Sequence, residues 1–130
     1  MDRERERLRD LNARLTQLHR LLLERDRRAY ETRHGPVTSH ALLQLLLHDE
    51  QFAWLRSLST VMAQIDAAVD AEDPITVDDA QRAFREVYRL LKSGDSGAFQ
   101  DKYRDALQDS PDIVMVHAGV SEMLRGLVPR

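Results

Sequence analysis

The chain contains no cysteine, so it can hold no disulfide, no thiolate nucleophile and no cysteine-ligated zinc. This fits a reducing compartment. Glycine is scarce, five residues in 130, mostly at expected helix ends, and no phosphate-cradling loop or Gly-x-Ser-x-Gly turn can be assembled from them. Long apolar runs are missing too. The longest near-apolar stretch covers residues 41–47 and is broken by Gln44, far short of a membrane span. The first ten residues alternate acids and arginines, which is not the apolar core of a secretory leader, so a cytoplasmic location is expected. Aromatic residues make up 5% of the chain, with a single tryptophan. Lysine is nearly absent: arginine outnumbers it 17 to 2, as in proteins of GC-rich bacteria.

Charge of either sign is not in excess overall. The formal net charge is −3 and the sequence pI is about 5.9, which gives no reason to expect a polyanionic partner. The distribution is less even than the sum. Residues 1–34 hold ten arginines against seven acids, a local +3, whereas residues 49–79 hold eight acids against Arg56 alone, a local −7. Arg25, Arg27, Arg28 and Arg33 cluster, but Glu24, Asp26 and Glu31 interleave with them and weaken any field that would attract phosphate. With no helix-turn-helix signature either, nucleic acid is not an expected partner.

What the sequence has in quantity is one apolar rhythm with steps of three and four residues. It runs through Leu8, Leu11, Leu15, Leu18 and Leu22, then through Leu55, Leu58, Met62, Ile65 and Val69. Ala80, Phe84, Val87 and Leu91 repeat it in an alanine-rich form, and Ile113, Val116, Val120, Met123 and Leu127 complete it. Such spacing puts each set on one side of an α-helix, the stripe that a helical assembly buries.

Start and stop signals divide the chain accordingly. A first helix over 2–33 ends at His34-Gly35-Pro36, and at about 1.5 Å per residue it approaches ~48 Å. Residues 1–10 carry only Leu8 as an apolar side chain of the stripe, and are expected to form an extension that frays unless a partner covers it. Thr38 or Ser39 caps a short helix through Leu47, whose five leucines nearly encircle it and predict a buried plug across one end. Asp49 caps a third helix over 50–71, expected to be the central one. Thr76 caps a fourth over 77–92, a short helix opens at Ser96 or Gly97, and Ser110-Pro111 starts the last, which stops at Gly126. The predicted fold is all-α, one domain over 1–130: an antiparallel four-helix bundle with two additional short helices.

The chemistry-bearing residues converge poorly. A carboxylate-bridged di-metal bundle needs two Glu-x-x-His motifs and two further glutamates. Only one copy occurs, at Glu31 to His34. His34, His40 and His48 fall near one end of the expected bundle, so a metal or small-ligand site built on Glu31, His34 and His48 is the alternative reading, with no metal or cofactor as the main one. His117 borders the last stripe and reads as a partly buried, hydrogen-bonded histidine rather than a catalytic base. Asp66 and Asp70 share a face turned from the core. No catalytic residue is assigned.

The densest local signature is residues 49–56, with Phe52, Trp54 and Arg56 inside three turns. Together with Tyr30 and His34 they are the candidate interaction or pocket residues, since Trp and Arg are favoured anchors at interfaces. The favoured role for Trp54 and Phe52 is packing, in which they lock the leucine plug onto the third helix, with a groove or interface beside it as the alternative.

Tyr30-Glu31-Thr32-Arg33-His34-Gly35, then Leu42-Leu43-Gln44-Leu45 and Phe52-Ala53-Trp54-Leu55-Arg56, resemble small helical bacterial proteins of uncharacterised function. Gln64-Ile65-Asp66 and Asp112-Ile113-Val114 extend the resemblance over most of the chain. It implies a compact bacterial domain and supplies no activity, ligand or catalytic residue. The functional expectation is a non-catalytic protein-interaction or regulatory module that binds a protein partner or associates with itself, a homodimer being the secondary expectation.

Overall fold

The computed structural model describes residues 3–94 and 96–127. Over them the chain is all-helical: α1 (Arg3–His34), α2 (Ser39–His48), a 3-10 helix (Glu50–Leu55), α3 (Arg56–Asp70), α4 (Val77–Leu91), α5 (Ala98–Asp109) and α6 (Pro111–Arg125). No strand occurs among the described residues, and none of their helices is long and apolar enough to cross a membrane.

Side-chain caps set the starts of these helices. The hydroxyl of Thr38 accepts from the Ala41 amide at 3.1 Å and that of Thr76 from Asp79 at 3.0 Å. Asp49 accepts from Gln51 at 2.9 Å, and Ser110 from Ile113 at 3.3 Å with Pro111 following. Each satisfies an amide that the first turn leaves without a helical partner. Gly35 ends α1 with φ of 84°, a left-handed conformation that a side chain would strain.

The long first helix is the axis of the molecule. Leu8, Leu11, Leu15, Leu18 and Leu22 are all buried, and α1 packs against α3, α4, α6 and the 3-10 helix. The expected central role of the third helix therefore belongs to α1, the only element with length enough to meet all of these partners.

The described part of the expected N-terminal extension makes contacts with the rest of the chain. Leu8 is only 1% exposed. The Arg5 guanidinium donates to the carbonyls of Val69, of Ala71 at 2.9 Å and of Asp73 at 2.8 Å. Carbonyls at the end of α3 lack amide partners, and a cation there also complements the helix dipole. One arginine thus ties the start of α1 to the end of α3. Met1 and Asp2 lie outside the described residues.

Two further expectations change at the other end. The third helix does not start as an α-helix at residue 50; Glu50–Leu55 is 3-10, with α3 following. The tighter winding brings Phe52 and Leu55 onto one side, and Phe52, Trp54 and Leu55 are all buried. These aromatics fill the end that the leucine helix was expected to plug. Consequently α2 has no buried residue: Leu42, Leu45 and Leu46 rest half-buried, while Leu43 and Leu47 stay 50% and 51% exposed.

Candidate functional site

The junction of α1, α2 and the 3-10 helix gathers three of the five interaction candidates. Tyr30 stacks on His34 with centroids 4.1 Å apart and leans on Phe52 at 6.0 Å. The His34 ring also meets the Tyr30 carbonyl at 3.2 Å. Phe52 is fully buried, so it packs and presents no surface. Arg56 turns elsewhere, donating to the carbonyls of Leu46 at 3.2 Å and Asp49 at 3.4 Å, where it closes the C-terminal end of α2.

Trp54 has a partner that the sequence reading missed. Its indole N–H donates to Asp26 Oδ2 at 2.6 Å. Asp26 lies four residues beyond Leu22, so the stripe itself carried the signal that this carboxylate points inward. Burial pushes its carboxyl above the ordinary carboxylate range, against the opposing effects of the Trp54 bond, Arg25 and Lys102. Gln51 also bonds the Asp26 carbonyl at 3.0 Å, and Arg33 reaches Gln51 at 2.5 Å. The network ties the 3-10 helix to α1.

The three residues of the metal alternative have separate surroundings. Glu31 accepts from the Val37 amide at 2.8 Å and faces Arg27 at 3.6 Å, while His34 is stacked on Tyr30 and His48 is exposed at the end of α2. Among the described residues no group of three or more His, Asp or Glu side chains is placed to hold a metal ion.

Two histidines are hydrogen-bonded to hydroxyl groups. His19 Nε2 lies 2.8 Å from Ser59 Oγ, but that hydroxyl also reaches the Leu55 carbonyl one turn back at 3.2 Å. If its single proton goes to that carbonyl, His19 must donate, and the serine is not activated. Tyr103 Oη lies 2.7 Å from His117 Nδ1, at the end of a ring series running from Trp54 through Phe99 and Tyr103. Burial holds His117 below its ordinary value, with Lys92 adding to the effect, and raises Tyr103. The Tyr103 hydroxyl and His117 Nδ1 thus share one hydrogen bond, whose donor is set by the imidazole tautomer. The partly buried, hydrogen-bonded His117 read from the sequence is what the structure holds.

The open feature is a groove between α3 and α4. Leu8, Val61, Ile65, Ala68, Ile75 and Ala83 form its apolar surface, with Gln64, Asp79, Arg82 and Glu86 at the rim, around a volume of about 490 Å³. It continues past Val61, Gln64 and Glu86 into a second hollow of about 360 Å³ bounded by Arg56, Ser57, Thr60 and Arg89. The space exists because Ala68 and Ala83 are small where the helices face each other.

Two of the three arginines around the groove are paired with rim acids, and the third, Arg56, is bonded to backbone carbonyls. Arg82 pairs with Asp79 at 3.4 Å and Arg89 with Glu86 at 2.5 Å, a bond that holds the Glu86 carboxyl below its usual range. The groove thus offers apolar area between edges that carry two internal ion pairs and the Arg56 guanidinium. Its size is within the range of sites that take ligands or side-chain ridges. Comparison with protein-family models, curated proteins and solved structures gave no match.

Proposed function

We propose that this protein is a non-catalytic cytoplasmic interaction module, which holds an uncharged, leucine-bearing helix of a protein partner between α3 and α4. The scaffold in this reading is an antiparallel four-helix bundle of α1, α3, α4 and α6, with α2 and α5 as the two short additions. Packing of α1 against the other three long helices supports it.

The observation that carries the reading is the groove's combination of an apolar surface with self-paired rim charges. Apolar helices dock in grooves through residues three and four apart, and an uncharged guest leaves both rim ion pairs intact. His19, His117 and Asp26 are engaged in internal hydrogen bonds, which favours binding over catalysis.

Affinity capture from the source organism tests the reading, with the natural chain and Ala83→Glu as parallel baits and circular dichroism to verify folding. The expected result is a protein retained by the natural chain and lost from the variant, which places a charge in the apolar groove. Identical captured sets with two folded baits would overturn it.

A further inference from the structure

We propose that the helix received by the groove is α2 of a second copy of this chain, with each of two copies placing its α2 in the groove of the other. The proposal rests on the groove reading above and names its occupant.

The ten residues of α2, Ser39–His48, include no Asp, Glu, Lys or Arg, in a chain of which 32% is charged. Leu43 and Leu47 lie one turn apart and are about half exposed, with His40 and Gln44 exposed on the same side. The opposite side, Leu42, Leu45 and Leu46, already rests against the rest of its own chain. A helix that is apolar on both sides and covered on one has a leucine ridge left over. An exposed apolar surface of this kind marks an association site.

Groove and ridge correspond in charge and in length. Arg82 and Arg89 are paired with Asp79 and Glu86, and Arg56 is bonded to carbonyls of its own chain; α2, which brings no formal charge, can dock without breaking any of these bonds. A ten-residue helix is roughly 15 Å long, and the groove follows α3 from Arg56 to Ala68, roughly 18 Å.

Arg56 joins the two surfaces within one chain. Its guanidinium holds the carbonyls at the end of α2 and bounds the polar end of the groove. Donor helix and acceptor groove are therefore neighbours on each copy, which lets a two-fold axis satisfy both at once and close the assembly as a dimer. One α2 against another would make a single short contact, whereas reciprocal exchange makes two.

The absence of native cysteine gives a clean test. Leu47→Cys and Gln64→Cys are made in separate chains, both at exposed positions, then mixed and treated with a short bismaleimide. The expected result is a mixed Leu47–Gln64 cross-link exceeding either self-cross-link. Light scattering should give a dimer mass for the unmodified chain at high micromolar concentration, lost in Leu43→Glu and in Ala83→Glu. A dominant cross-link between two Leu47→Cys chains, a dimer that survives Ala83→Glu, or a monomer at every concentration would each overturn the proposal. If the pure chain is monomeric while a different protein is captured by the natural bait and lost from Ala83→Glu, the groove reading stands and this one falls.

Discussion

Trp54 and Asp26 are joined by a 2.6 Å hydrogen bond in the interior, across 28 residues of sequence. The indole N–H needs an acceptor once buried, and Asp26, only 7% exposed, supplies it as a carboxylate. The same burial disfavours its negative charge more than the indole, Arg25 and Lys102 favour it. The bond and the charge thus act on stability in opposite directions.

Two uncharged replacements separate the bond from the charge. Asp26→Asn keeps an acceptor oxygen near the indole, whereas Asp26→Ala leaves the N–H unpaired. Asp26→Ala is expected to be less stable than Asp26→Asn by about 1–3 kcal/mol, the cost of an orphaned buried donor. Urea unfolding followed by circular dichroism measures the difference, and equal midpoints would mean that the indole finds another acceptor.

The charge itself is read by comparing Asp26→Asn with the natural chain across pH. An acid whose folded value is raised contributes stability that is complete below its unfolded value, ordinarily 3.8, and lost as pH rises through the folded value. The variant should therefore be the more stable of the two at neutral pH, with the gap closing as pH approaches 3.8 from above. A gap that is constant with pH would contradict the burial argument.

The difference between Asp26 and the leucines above it shows what periodicity reads and what it passes over. Spacing assigns a face, so the five leucines of α1 and the four helix caps were legible, since each depends on residues a few positions apart. Whether an encircled leucine helix is inside depends on what already fills the space. Phe52 and Trp54 occupy it, so α2 stays outside, and no local pattern in residues 39–48 records that. The groove was hidden for a related reason: it is a lack of volume at Ala68 and Ala83, created only when two helices meet. Arg5 in the first turns read as a balanced charge because its acceptors are carbonyls, which sequence composition does not display.

His19 and His117 predict a second pH response. Burial lowers both below their ordinary value of 6.5, so as pH falls through 6.5 the unfolded chain takes up protons before the folded one does. Stability should decline below that pH until the folded-state values are passed. His19→Gln and His117→Gln should each flatten the decline, and the double variant more than either. Thermal melts across pH 5 to 8, roughly the range over which histidine charge changes, would reveal it. An unchanged slope in the double variant would assign the response elsewhere.

Arg5→Ala removes the donor that closes the end of α3. Its bonds lie partly at the surface, so the global cost should be modest, about 1 kcal/mol. The local effect should be larger in hydrogen exchange: amides near Val69 and Ala71 lose protection while those around Leu58 keep theirs. Loss of protection confined to α1 would mean that the arginine orders its own helix and not the one it caps.

Leu8 and Leu43 contrast the two leucine-bearing helices. Leu8→Ala removes a buried side chain at the floor of the groove and should cost ~2–5 kcal/mol in dilute solution. Leu43→Ala removes a half-exposed side chain, so in dilute solution it should stay within about 0.5 kcal/mol of the natural chain. Binding that selects the folded state stabilises it by mass action, which makes the second comparison depend on concentration. If a second copy covers Leu43, the gap between Leu43→Ala and the natural chain widens as protein is added, while the Leu8→Ala gap measured at the dilute end does not shrink. Melting curves at low and high micromolar concentration separate the cases, because a core leucine acts within one chain and a docking leucine acts only when two chains meet.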